Sequence, residues 1–386
     1  MAFNPLLFYE YGKGRGSKTF ISRWNTANTS TGSSAATQVK LPLETTGTYN
    51  FIVDWGDGSA LENITSGATQ PVHDYGAAGT YTISITGIII GFKFVLNASD
   101  NLKILSISKW GPLRLGNNGG YFAYCANITL NTITDILNLT GTSTLASMFF
   151  ECRLITTVGR MNEWNLSNVT NLSSMFGQSV ASGTVGAGLF NQDIGAWNVS
   201  NVISFNSMFR FTALFNNGGS DSIKNWNVSS ATDMGAMFSR ANSFNQPIAN
   251  WERSTVGNTS TLANVINMND TFSSGNTANS FNQPIGNWNV SNVTGMSNLF
   301  YRSRFNQDIS GWNISKVASW GSFGIAGSFT PFSPTNLDLI YNGWSTRTVV
   351  PNCSITFSSK YTTSGSAGKA ILQASPYFWT ITDGGL

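Results

Sequence analysis

A single histidine, His73, occurs among 386 residues, so any Ser-His-Asp relay in this chain has to run through it. It sits in Val-His-Asp-Tyr-Gly, inside a β-patterned stretch, where a turn or packing role is the simpler reading. Carboxylates are sparse. Asp193 and Asp308 occupy one position of a recurring phrase, and Pro247 and Pro284 fill that position in other copies. A position that exchanges Asp for Pro is a turn rather than a general acid. Glycoside hydrolysis needs two carboxyls about 5–10 Å apart in a cleft, and no spacing here marks such a pair. Asp54 and Asp57 bracket Trp-Gly, but the Asp-x-Asp-x-Asp-Gly density of a calcium loop is missing. Cys125 and Cys152 lie 27 residues apart in similar contexts and Cys353 stands alone; buried thiols are expected, with a Cys125–Cys152 disulfide as the alternative. The sequence therefore predicts no catalytic residue, no cofactor and no metal site, and it leaves the ligand-binding residues unassigned.

The elements that hold these residues repeat. Trp-Asn-(Val/Leu/Ile)-Ser-x-(Val/Ala) starts at Trp164, Trp197, Trp226, Trp288 and Trp312, usually followed by Met-Phe or Leu-Phe. Phe-Asn-Gln-(Asp/Pro)-Ile starts at Phe190, Phe244, Phe281 and Phe305, each seven residues before a Trp. Counting Trp251, successive Trp lie 33, 29, 25, 37 and 24 residues apart. Such a period signals a solenoid, whose units bury their apolar faces only against neighbours. Within one unit, Val169, Leu172, Met175 and Phe176 fit one face of a helix. Ser167 would cap it and Gly177 would end it. Phe190, Ile194 and Trp197 would follow as a short parallel strand. Asn191, Asn245, Asn282 and Asn306 are expected to satisfy backbone groups between units.

The Trp of the repeats could line up as a sugar platform, but a core ladder produces the same recurrence, and burial of the largest side chain favours the core. The Asn-x-Ser/Thr sequences at Asn165, Asn168, Asn198, Asn227, Asn289 and Asn292 read as capping positions rather than glycosylation sites. Insertions at 177–189, 217–222 and 252–280 are the candidate ligand loops, because insertions into repeats project from one face.

Charged residues are only 10% of the chain and the net charge is +3 without a basic cluster. Nucleic acid needs a Lys/Arg patch, so it is not an expected partner. No apolar run is long enough to span a membrane. The first residues lack a secretory pattern. Phe3, Leu6, Leu7, Phe8, Tyr9 and Tyr11, followed by Gly12, Gly14 and Gly16, suggest an arm over 1–17 that docks on another chain. Strands are expected at 38–43, 48–55 and 80–86. The tail suggests helices at 336–343 and 367–374 and strands at 354–357 and 378–382.

Asp54, Trp55, Gly56, Asp57 and Gly58, then His73, Tyr75, Gly79, Thr80 and Tyr81, resemble a PKD-type β-sandwich. The repeats, with Trp-Thr-Ile-Thr-Asp-Gly-Gly at 379–385, resemble the BspA-like leucine-rich-repeat surface proteins; together the likeness covers about residues 38–386. The resemblance implies a mixed fold: an N-terminal PKD-like β-sandwich, then an α/β leucine-rich-repeat-type solenoid with a C-terminal α/β cap. The expected boundaries are arm 1–17, sandwich 18–99, solenoid 100–330 and cap 331–386. It also implies adhesion. With the missing leader pattern, the expected function is a non-enzymatic adhesin, decoration or fibre protein on a virion, most simply a bacteriophage. Its partners would be virion proteins through the arm and a host-surface glycan or protein through the repeats, and it could form a homo-oligomer. The alternatives are a cellular surface adhesin whose leader was removed and a glycan-degrading virion enzyme.

Overall fold

A computed structural model describes residues 18–179, 188–252, 262–275, 279–325 and 332–386. The arm expected at 1–17 lies outside these residues. The chain divides into two compact units. The first comprises the described part of Met1–Gly116 with Tyr124–Thr142 and Val158–Trp164. The second comprises Asn117–Ala123, Ser143–Thr157 and Asn165–Leu386.

In the first unit, alternation of apolar and polar residues produces strands β1 (Thr19–Asn25), β2 (Gln38–Lys40), β3 (Leu43–Asp54), β4 (Glu62–Ile64), β5 (Val72–Asp74), β6 (Thr80–Phe92), β7 (Ile104–Lys109) and β8 (Leu113–Arg114). One sheet runs in the order β4-β3-β6-β1-β7, and β8 adds to β6 in parallel. Its other pairings are antiparallel. β1 shows how alternation sets burial: Phe20, Ser22 and Trp24 point inward while their neighbours are more open. β2 and β5 form a separate antiparallel pair. The expected two-sheet sandwich is thus corrected to one principal sheet with a small ribbon. At its base Lys103 is buried and donates to the carbonyls of Ser34, Ala35 and Gln38 at 2.8–2.9 Å. Asp100, also buried, accepts from the backbone of Ser34 and Lys40 at 2.7 Å each. Those hydrogen bonds replace the water that both charges lose.

The second unit overturns the expected α/β leucine-rich-repeat-type solenoid. No described residue of the repeats is α-helical; among the described residues α-helices occur only at α1 (Pro334–Trp344) and α2 (Ser366–Gln373), and the repeats carry no more than short 3-10 turns such as Asp221–Asn225 and Ile248–Glu252. Val169, Leu172, Met175 and Phe176 are buried as expected, but on a chain of turns. Alternate N–H groups, those of Leu172, Ser174 and Phe176, donate to Ser204, Asn206 and Met208 of the next tier. The N–H groups between them close local turns, Met175 to Leu172 and Gly177 to Ser174. An α-helix would send every one of these N–H groups back along its own segment. The same register recurs for Phe205, Ser207 and Phe209, then Met234, Ala236 and Phe238, then Met268, Asp270 and Phe272. Parallel bridges link Thr144, Asn171, Ser204, Asp233, Asn267, Gly295 and Ser319 in sequence. Each tier bends at a residue with left-handed backbone: Ser174, Ser207, Ala236, Asp270, Asn298 and Ser322, with φ between 54 and 60°.

Aromatic columns fill the tiers. Phe149, Phe176, Phe209, Phe238, Phe272 and Phe300 stack at 5.7–6.1 Å between centroids. Phe190, Phe215, Phe244, Phe281 and Phe305 lie face to face on Phe176 through Phe300 at 3.7–4.0 Å. Full burial of each such ring stabilises by about 1.5–3 kcal/mol relative to exposure. Beyond the tiers, β9 (Ser354–Thr356) and β10 (Thr380–Thr382) pair in parallel, and α1 packs with α2.

Candidate ligand-binding surface

The repeat Trp do not form a sugar platform. Trp164, Trp197, Trp226, Trp251, Trp288 and Trp312 are at most 3% exposed. Trp197, Trp226, Trp251 and Trp288 stack within 8° of parallel. Their indoles also bind the tiers: Trp226, Trp251, Trp288 and Trp312 donate to the carbonyls of Ile194, Ile223, Ile248 and Ile285 at 2.8–3.3 Å.

The asparagines of the second phrase form a ladder. The amide oxygens of Asn191, Asn216, Asn245 and Asn282 accept from the backbones of Asn216, Asn245, Asn282 and Asn306 at 2.8–3.0 Å. Asn216 belongs to this row although its tier reads Phe-Asn-Asn, which hid it from the phrase. Asp193 and Asp308 accept from the N–H groups of Gly195 and Ser310 at 2.9 and 2.8 Å, as turn residues do. The insertion at 217–222 is tied into the tiers at its first residue, while Gly218, Gly219 and Asp221 are exposed. Asn217 is buried, accepts from the Ile194 N–H at 2.9 Å and donates to the Ser220 carbonyl at 2.8 Å. Parts of the insertions at 177–189 and 252–280, namely 180–187, 253–261 and 276–278, lie outside the described residues.

In the first unit His73 Nε2 lies 2.7 Å from Asp57 Oδ2, and its ring stacks on Trp55 at 4.8 Å. Asp57 also accepts from the Ser59 N–H at 3.0 Å. The carboxylate therefore sits between hydroxyl residue and imidazole, whereas a relay places the imidazole in the middle. Hydrogen bonds from Ser59, then from His73, hold the Asp57 carboxyl well below the usual carboxylate range. Asp54 accepts from the Gly56 N–H at 2.9 Å and closes the same turn, where Gly56 and Gly58 have φ of 81 and 82°. Among the described residues no three His, Cys, Asp or Glu cluster as a metal site. All three cysteines are buried and none is disulfide-bonded; Cys152 donates to the Phe122 carbonyl at 2.9 Å.

What the tiers do present is an open groove of about 600 Å³, lined by Ser167, Asn168, Thr170, Asn201, Ile203, Ser230 and Thr232. Asx turns shape its rim: Asn165, Asn198 and Asn227 accept from the N–H groups of Ser167, Ser200 and Ser229 at 3.0–3.1 Å. These residues cap turns, where a helix N-cap was expected. Asn201 Nδ2 and Ser230 Oγ are engaged with the carbonyls of Ser167 and Ser200 at 2.7 and 2.6 Å. Among the described residues the Ser167 hydroxyl and the Asn168 amide make no such bond, so both face the groove unspent. Ile203 is 47% exposed, and Ile266 repeats that position two tiers on at 49%. The missed signal was Ile at the Thr position of the phrase, an apolar side chain with no core to enter.

A family profile described as a Mycoplasma protein of unknown function, DUF285, matches residues 118–221, 142–262 and 259–334. These matches together span more than half of the 386 residues, and the chain belongs to that family. No curated protein matches it. No solved structure matches it either. No helix among the described residues is long and apolar enough to cross a membrane.

Proposed function

We propose that this is a non-enzymatic adhesin or decoration protein carried on a virion, of a bacteriophage, that binds a host-surface glycan or protein through its tiers. The groove carries the reading. It offers hydroxyl and amide groups without charge, beside an exposed isoleucine, on a backbone pinned tier to tier. Such a surface matches a ligand that alternates hydroxyls with C–H faces, and its rigidity limits the ordering cost of binding. The likeness of the Trp-Asn-Val-Ser-Asn-Val-Thr wording to BspA-like surface proteins supports the same role. The apolar and aromatic side chains of residues 1–11 suit an anchor in a particle.

The test is binding of pure protein to intact host cells. Ile203→Asp and Thr232→Arg fill or charge the groove without touching a core side chain. Each should weaken cell binding by about tenfold or more with the melting temperature unchanged. Undiminished binding by both variants would remove the groove from the function. Absence of the protein from purified particles by mass spectrometry would remove the virion.

A further inference from the structure

One edge of the second unit gathers positive charge in a chain with little of it. Arg210 and Arg240 come from adjacent tiers, placed by the backbone bonds from Phe211 to Ser239 and from Arg240 to Ser273. Their guanidinium carbons lie 4.8 and 4.5 Å from the centroid of the same ring, Phe211. Stacking on an aromatic face fixes the plane of each guanidinium. Among the described residues neither side chain has an ion pair or a hydrogen bond. Burial, and then the like charge of Arg240, pulls Arg210 below its ordinary value, with Asp270 opposing in part. Gly275 keeps the space beside Arg240 open, since a Cβ there would lie 3.3 Å from the guanidinium. Arg302, over the Tyr301 ring at 5.1 Å, continues the edge two tiers further on.

Two cations held together repel, Asp270 offsets this only in part and, among the described residues, forms no ion pair with either, and an oxyanion placed between them relieves that repulsion through bidentate hydrogen bonds. We propose that Arg210, Phe211 and Arg240 form a recognition point for the carboxylate or sulfate of an acidic polysaccharide. The choice of a saccharide rests on the adhesin reading and on the Ser, Thr and Asn that cover the tiers. A polyphosphate would call for a dense basic patch, and the net charge of +3 provides none.

The test is calorimetry at low ionic strength, on the full chain, with a hyaluronan hexasaccharide, a chondroitin sulfate hexasaccharide and neutral cellohexaose. The acidic probes should bind at least about tenfold more tightly than the neutral one, with salt weakening the difference. R210Q/R240Q should lose that preference. R210K/R240K keeps the charge but not the planar fork, and should recover only part of it. If R210Q/R240Q fails to fold, the lysine pair and Phe211→Leu are read instead. Equal binding of acidic probes by wild type and these variants overturns the proposal. So does binding of neither acidic probe, or tighter binding of oligodeoxythymidine or of phosphatidylserine vesicles. Host-cell binding that persists through such a failure leaves the adhesin reading standing; loss of both removes both.

Discussion

Asp57 ties the Trp55–Gly58 turn to β5 through His73, and its depressed carboxyl sets a sign for acid stability. A carboxyl whose folded value lies below its unfolded one contributes stability that is complete above the ordinary value of 3.8 and is lost as pH falls through the folded value. Asp57→Asn should therefore melt lower than wild type near neutrality, and the gap should begin to narrow below about pH 4 and keep narrowing with further acidification. Melting curves across pH measure it; a gap independent of pH would mean that the latch acts by shape alone. Asp57 was legible in the sequence as a turn residue and His73 as a turn or packing residue of a β-patterned stretch, but their pairing was not, because β5, which carries His73, is brought to the turn by its ladder with β2. Of the groove residues, Ser167 and Asn168 were read singly, as caps, and Thr170, Asn201, Ile203, Ser230 and Thr232 were not singled out. Their joint face appears only when three tiers are superposed, and no spacing within one unit encodes that.

At the scale of the element, the tier shows why three-residue apolar spacing misled. Residues at i, i+3 and i+6 share a face in a helix, and they also share one in a chain that turns at every third residue. Left-handed backbone at Ser174, Ser207, Ala236 and Asp270 distinguishes the two, and Ser, Ala and Asp at these positions carry no glycine to announce it. Ala236, at φ 54°, gives the test. A left-handed conformation costs a residue with a Cβ roughly 1–2 kcal/mol. Glycine offsets part of that gain through unfolded-state entropy. Ala236→Gly should thus raise stability by ~0.5 kcal/mol, whereas Ala236→Val should lower it by at least about 1 kcal/mol. Denaturant titration decides, and a destabilising glycine would argue for helical backbone. Elsewhere the tail was legible: α1 at Pro334–Trp344, β9 at Ser354–Thr356, α2 at Ser366–Gln373 and β10 at Thr380–Thr382 fall within a few residues of expectation. Local propensity decides there, since Ser333 caps α1 with Pro334 behind it.

For the whole molecule, the columns make each tier depend on its neighbours, and the last tier leans on the C-terminal segment from Ser333 onward. Asn306 accepts from the Ser333 backbone at 2.7 Å, and its carbonyl takes the amide of Asn336 at 3.1 Å. The Trp344 indole donates to the Ile309 carbonyl at 3.2 Å, as a repeat Trp would. A chain cut after residue 332 should uncover Trp320, Phe323 and Phe332, which pack on Trp344, Phe357 and Trp379, and self-associate in size-exclusion chromatography. Trp344→Phe in the full chain should stay monodisperse while losing the hydrogen bond, about 0.5–1.5 kcal/mol, together with a cavity cost where the buried indole packed on Trp320 and Phe323. A truncated chain that elutes and melts like wild type would show that the tiers close themselves.

Helix α1 meets the array through the two fittings that the tiers from Asn191 to Asn306 offer, an isoleucine carbonyl and an asparagine. An end piece built on a standard fitting is portable: it could seat on any tier that presents the pair. Length is then free to change by whole tiers, with no new chemistry at the end and no change of register. Each added tier would advance the array by one strand spacing, about 4.8 Å, so the length of the array is quantised.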